Sequence, residues 1–169
     1  MRPISPWENL DQLHRQLSGK GAFLLSARPD RRTNVMTIGW GMVGTVWSRP
    51  VFLALVRPSR YTHDCIQAAG AFSVSVPLGD MEEELAFCGS RSGREVDKVD
   101  VLGLELTPPR RGGVALLAPC ELHYECRVVA RASLAPQGLV SDELQARHYP
   151  SGDLHTLFFG EVVAAWRRA

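Results

Sequence analysis

Charge of one sign is what this sequence lacks most plainly. Its 19 lysines and arginines face 18 aspartates and glutamates, leaving +1 at pH 7. That balance gives no electrostatic case for nucleic acid or an anionic membrane as a partner. Long apolar runs are missing too, and none approaches the ~20 residues a membrane-spanning helix needs. At the N-terminus, Trp7-Glu8-Asn9-Leu10-Asp11 is polar where a secretion signal must be greasy. The expectation is a cytoplasmic protein. Its four cysteines, Cys65, Cys88, Cys120 and Cys126, are then expected as reduced thiols. Internal repeats, a low-complexity tail, a nucleophile triad and a paired-carboxylate motif are also absent.

What is present is an ordinary globular composition. With 169 residues and 45% of them apolar, the chain is one domain's worth and can bury a real core. The stretch that organises it is Arg57-Pro58-Ser59-Arg60-Tyr61-Thr62. Before it, Val51-Phe52-Leu53-Ala54-Leu55-Val56 reads as a buried strand. After it, Thr62 to Ala69 reads as a short helix closed by Gly70. Arginines, hydroxyls and a phenol therefore crowd a strand-to-helix turn. Unpaired N–H groups and the positive end of the helix dipole suit such a turn to a phosphate. Equally, Ser59 or Thr62 could simply cap the helix, with the arginines solvated.

The remaining pattern is rich in strands. Ser5-Pro6-Trp7-Glu8 reads as a helix start, with the helix running from about residue 6 to 18. Strands follow at 22–27, 34–40, 42–47 and 71–76, with a turn at Pro29-Asp30. Gly39-Trp40-Gly41-Met42-Val43-Gly44 has the glycine spacing of a dinucleotide fingerprint. It is rejected as one, because a strand follows it where the fingerprint needs a helix. A helix opens at Asp80-Met81-Glu82-Glu83 and stops at Gly89. The segment Gly89 to Lys98 then reads either as an exposed loop or as a second anion contact, without the ending of a P-loop. The best strand spans Glu121 to Val129, with Leu122, Tyr124, Cys126 and Val128 on one face. Alternation turns His123 away from Cys120 and Cys126, so no metal site is expected. A polar excursion, 135–152, holds a helical turn near Ser141, and the last strand runs from His155 to Trp166. Many strands and three short helices favour a mainly β, α+β fold, an antiparallel barrel.

Three stretches in order, Asn34 to Gly41, Trp47 to Phe52 and Val56 to Thr62, are similar to the flavin reductase-like, flavoredoxin-type family. The similarity continues through Cys88 to Lys98, Leu122 to Cys126 and His155 to Val162, so it covers about Gly21 to Val163. It implies a single domain over 1–169 with a split antiparallel β-barrel that binds FMN, usually as a homodimer with the flavin near the subunit interface. It also implies electrons from NADH or NADPH, passed through flavin to a small-molecule or protein acceptor. Position by position, Asn34, Met36, Thr37, Thr45 and Trp47 would lie along the isoalloxazine. Arg57, Ser59, Arg60, Tyr61 and Thr62 would hold the ribityl phosphate, with Ser92, Arg94 and Lys98 closing over it. His155 would stand near the flavin, as a proton donor, a nicotinamide contact or a surface or interface histidine. The chain departs from the family at Glu95, at Val99 and throughout the 135–152 excursion. The competing function is an FMN-holding electron carrier reduced by a protein partner, without turnover of nicotinamide. A flavin or haem storage or sensing protein, and a flavin-free small-molecule binder, are two further readings.

Overall fold

A hairpin and its neighbours show how local chemistry sets this fold. The computed structural model describes residues 1–168. It opens with β1 (Arg2–Ile4), α1 (Leu10–Ser18), β2 (Ala22–Ala27), β3 (Thr33–Ile38), β4 (Gly41–Val46) and β5 (Arg49–Val56). Next come α2 (Tyr61–Ala69), β6 (Ala71–Val76), α3 (Glu82–Ser90), α4 (Lys98–Leu102), β7 (Leu106–Thr107) and β8 (Leu116–Leu117). The chain ends with β9 (Leu122–Ser133), a 3-10 turn at Pro136–Gly138, α5 (Asp142–His148) and β10 (Thr156–Arg167). β4 and β5 are joined by Trp47 and Ser48 alone, both in the left-handed region at φ 51° and 57°. That backbone matches the twist of the flanking strands.

The main sheet runs β3-β2-β6-β9-β10-β5-β4 and does not close. All its pairings are antiparallel. One edge of β10 is shared: β5 pairs with Thr156 to Glu161, and β1 pairs with Ala165 to Arg167. The strand β1 was not expected. Coiled around itself, the sheet buries a core that includes Leu24, Phe52, Phe72, Val74, Tyr124 and Phe158, plugged by Leu13 and Leu17 of α1. A second cluster on the other face gathers Phe23, Leu25, Val35, Leu85, Cys88, Leu117 and Cys120 under α3 and the 99–120 segment.

Several expected boundaries moved for physical reasons. Ser5 and Glu8 do bond reciprocally, the Glu8 carboxylate accepting from the Ser5 N–H at 2.9 Å and the Ser5 carbonyl accepting from the Glu8 N–H at 3.0 Å, while Ser5 Oγ accepts from the Trp7 N–H at 3.3 Å. They close only one turn, because Asn9 then takes a left-handed φ of 62° and α1 starts anew at Leu10. Within the segment read as a loop to Lys98, Asp97 instead caps α4, accepting from the Asp100 N–H. Ser141 caps a full helix, α5, rather than a turn.

The first half of the polar face of β9, His123 and Glu125, is buried, whereas Arg127 is exposed. Glu125 is fully buried and accepts from the backbone N–H groups of Arg110, Arg111 and Gly112 and from Trp166 Nε1. His123 contacts Ser75 Oγ through Nδ1 at 3.0 Å and the Cys120 carbonyl through Nε2 at 3.0 Å. Burial pushes its pKa down to about 4, so the neutral ring donates from Nε2 to the carbonyl and accepts from Ser75. Thus His123 does meet Cys120, but through its backbone oxygen. Among the described residues no cluster of histidine, cysteine and carboxylate side chains could hold a metal. No helix is long and apolar enough to cross a membrane.

Candidate functional site

The turn between β5 and α2 leaves its helix end without a side-chain cap. Arg60 sits at the cap position in extended backbone, and no side chain bonds the first-turn N–H groups. Both candidate caps are engaged elsewhere. Ser59 Oγ donates to Asp153 Oδ2 at 2.6 Å, and Thr62 Oγ1 accepts from Asn34 Nδ2 at 2.8 Å. The His63 N–H turns back to the Arg60 carbonyl at 2.9 Å, which leaves the Tyr61 and Thr62 N–H groups and the positive dipole end for another acceptor.

A first cleft of about 110 Å³ opens on that helix start, lined by Ser59, Arg60, Tyr61 and Thr62, by Met36 and Thr37 of β3, and by Cys88, Gly89, Arg91, Ser92 and Gly93 with Lys98. Lys98 is nearly buried and donates to the Cys88 carbonyl at 2.8 Å, and burial pushes its pKa down. The α3 end, Ser92 and Gly93 come in close to β3. A Cβ at Gly93 would collide with Asn34 Oδ1, so only glycine lets this wall approach. Asn34 itself is a buried strut, donating also to Ser26 Oγ at 3.2 Å. Arg94 is an outer buttress: it lies 5.3 Å from the Tyr61 ring centroid and donates to the Ser59 carbonyl and to Asp64 Oδ2. The Cys88 thiol is buried, its pKa pushed up to about 11 by burial, as expected for an inert cysteine.

A second cleft, about 200 Å³, shares Met36, Thr37 and Arg60 with the first and continues along Ile38, Gly39, Trp40, Leu55, Arg57 and His155. Together they form one bent trough with Arg60 at the bend. Arg60 is exposed, lines both parts and is tied to no carboxylate among the described residues. Arg57, expected at the phosphate, lies outside the first cleft. Its guanidinium donates to the Asp153 and His148 carbonyls, both at 2.7 Å, and packs 5.0 Å from the Tyr149 ring centroid. It clasps the excursion to the turn. These acceptors are neutral, so its charge stays unneutralised beside the second cleft.

Beyond Arg57, the excursion builds the far wall. Tyr149 Oη lies 2.9 Å from His155 Nδ1, and the rings of Trp40, His148, Tyr149 and His155 pack together. His155 is 7% exposed, which excludes a simple surface histidine in this chain. Burial and then the nearby Arg57 push its pKa down to about 4, so the ring is neutral at pH 7.

Of the residues expected around a flavin, Met36, Thr37, Ser59, Arg60, Tyr61, Thr62, Ser92 and Lys98 are brought together in the first cleft, and His155 joins the second. Asn34 and Arg94 support from behind. Thr45 and Trp47 lie outside both clefts, on the exposed β4–β5 hairpin, with Trp47 61% exposed. Sequence reasoning missed Arg91 and Gly93 in the first cleft and Tyr149 behind the second. Gly93 had a legible signal, a glycine between Ser92 and Arg94 in a donor-rich segment. Tyr149 had none, because the excursion's docking is long-range.

The sequence matches the family described as flavin reductase like domain over residues 15–169. A relative of unknown character from Archaeoglobus fulgidus is 30% identical over 132 residues, covering 78% of this chain. The match spans 64% of that relative's length. A flavoredoxin from Methanosarcina acetivorans has a similar structure, with 27% identity, a TM-score of 0.69 and coverage of 88% of this chain and 68% of that one. An FMN-binding protein from Thermus thermophilus, solved with bound 1-cyclohex-2-enone, superposes with a TM-score of 0.67 at 26% identity, over 87% of this chain and 70% of the other. The open antiparallel sheet, the uncapped turn and the match along 15–169 agree: the chain belongs to the flavin reductase-like family and has its FMN-binding split-barrel fold.

Proposed function

We propose that this chain binds FMN in the bent trough and works as an oxidoreductase, taking electrons from NADH or NADPH and passing them to an acceptor. One observation carries the reading: an uncapped helix start and an arginine without a carboxylate partner open onto a cleft that shares Met36, Thr37 and Arg60 with a second one, of mixed polar and apolar lining, beside Trp40. The donor set fits a phosphate: first-turn N–H groups of α2, the Arg60 guanidinium, Ser92 and Lys98. Met36, Thr37 and Trp40 suit a planar ring with polar edges. When bound, flavin supplies the hydride and electron chemistry. The chain's own part is to bind it, orient it and shield one side of the second cleft.

Thr45 and Trp47, expected along the isoalloxazine, line neither cleft, so a role for them at the flavin would need a second copy of the chain, and a homodimer is part of this reading. β4 is an edge strand with Met42 and Trp47 exposed beside it, and Trp47 is held in left-handed backbone that a bulky residue rarely adopts. The four buried, unpaired cysteines fit a reducing compartment such as the cytoplasm.

A second reading, an FMN-containing electron carrier reduced by a partner protein, is favoured by the similarity to a flavoredoxin. The deciding experiment is a visible spectrum of the purified protein with FMN, followed anaerobically near ~450 nm as NADH and NADPH are added in turn. Rapid bleaching supports the reductase and selects its donor. A persistent flavin band with both donors supports the carrier. No retention of FMN at all overturns the site.

A further inference from the structure

The excursion is docked on the same turn that opens the first cleft, and it brings a carboxylate there. Its base is fixed, because the Leu134 N–H, just past β9, donates to the His155 carbonyl, just before β10, at 3.0 Å. Its arm is held more lightly. No residue of α5 is buried, and Val140 and Leu144 are exposed. The arm leans on Trp40 through His148 and Tyr149, and the turn grips it by side chains. Arg57 holds the His148 and Asp153 carbonyls, and Ser59 Oγ donates to Asp153 Oδ2 at 2.6 Å. Ser59 also lines the first cleft, beside Arg60. Its hydroxyl has one proton, and that proton is committed to Asp153. A carboxylate oxygen and a phosphate oxygen ask the same of such a hydroxyl, a charge-assisted hydrogen bond.

We propose that Asp153 is an internal competitor of the phosphate: its carboxylate holds the Ser59 hydroxyl in the free protein, and a phosphate monoester entering the first cleft takes that hydroxyl and loosens the arm of the excursion. The proposal rests on the reading of the trough as a flavin site, FMN being the monoester. Two effects push the same way. The single hydroxyl proton serves one acceptor at a time. A phosphate is also largely a dianion at pH 7, and at the Tyr61 and Thr62 N–H groups it brings like charge toward Asp153. The bonds from Arg57 run to neutral carbonyls and take no part in the exchange. The arm therefore loses one anchor and stays tethered by the other. With no buried residue in its helix, it has little packing to keep it in place. Occupancy of the phosphate end is thereby felt at the wall that the arm builds beside Trp40.

The test is amide hydrogen exchange on the full chain, paired with flavin-quenching titration, using FMN, riboflavin (which lacks the phosphate) and inorganic phosphate. In the wild type FMN should speed exchange across 141–153 several-fold, and riboflavin at equal occupancy should not. Asp153→Ala frees the hydroxyl. It should bind FMN about five- to tenfold tighter than the wild type and riboflavin equally well. Its exchange in 141–153 should be fast with or without FMN. Ser59→Ala removes the same bond, so in the free protein its exchange should match, and in its background Asp153→Ala should gain little affinity. FMN that binds but leaves 141–153 unchanged or slower overturns the competition, as does an Asp153→Ala that binds FMN no tighter. Failure to bind any flavin sinks the flavin reading instead. Inorganic phosphate then decides the competition alone: it must speed exchange in the wild type and not in Asp153→Ala, or the proposal falls as well.

Discussion

Asn34 Nδ2 donates to Thr62 Oγ1 at 2.8 Å, and so ties β3 to the first turn of α2. The bond joins the two walls of the first cleft behind the surface that a ligand would touch. Replacing Asn34 by Ala leaves Thr62 and Ser26 without this partner in a buried place. The expected loss is about 1–3 kcal/mol of stability by urea unfolding, together with weaker FMN retention.

Gly93 makes the complementary prediction. A methyl group there has no room against Asn34 Oδ1. Gly93→Ala should therefore push the 91–94 wall outward and weaken FMN binding at least several-fold in a flavin-quenching titration, with a smaller effect on unfolding than Asn34→Ala. Unchanged affinity would show that this wall does not touch the flavin.

The two arginines of the turn should separate cleanly. Arg60→Ala removes a charge-assisted phosphate donor and should weaken FMN by about ten- to a hundredfold. Arg57→Ala removes the clasp on the His148 and Asp153 carbonyls instead. Its main signature should be faster amide exchange and proteolysis in 135–153, with a smaller change in FMN affinity. The reverse ranking would return Arg57 to the phosphate.

His123 predicts a pH effect. The unfolded ring takes up its proton near the ordinary value of 6.5, whereas the folded ring resists protonation until about 4. Stability from this group is thus complete above 6.5 and is lost as the pH falls toward 4, by up to about 3 kcal/mol. Urea unfolding of the wild type and His123→Gln at pH 7.5 and pH 5 should show a steeper decline in the wild type.

Much of this was legible locally. The alternation in β6 and β9, the apolar run of β5 and the glycine closing α2 lie where their residues place them. So does the turn after Val56, which leads straight into α2. What escaped was long-range. Arg57 looks like a phosphate ligand until the excursion supplies two carbonyls that outcompete water for it. Glu125 and His123 look like the wet face of a strand until the 105–120 segment covers them. Nothing near Tyr149 in the chain points to His155, though only five residues stand between them, because their meeting depends on the clasp at Arg57. Ser5 to Glu8 is the opposite case. The capping bonds formed as their spacing dictates, and one left-handed residue, Asn9, kept them from launching a helix.

The grip of Glu125 on the 110–112 loop carries a consequence for variation. A carboxylate that holds three successive backbone N–H groups reads no side chain at all. The loop can exchange Arg110 and Arg111 for almost anything with an N–H and keep its shape. Gly112 is the exception, because a Cβ there would press into Glu125 itself at 2.7 Å. Tolerance is therefore concentrated in the loop and intolerance in the single acid beneath it. A library randomised at 110 and 111 should stay folded, while one randomised at 125 should not.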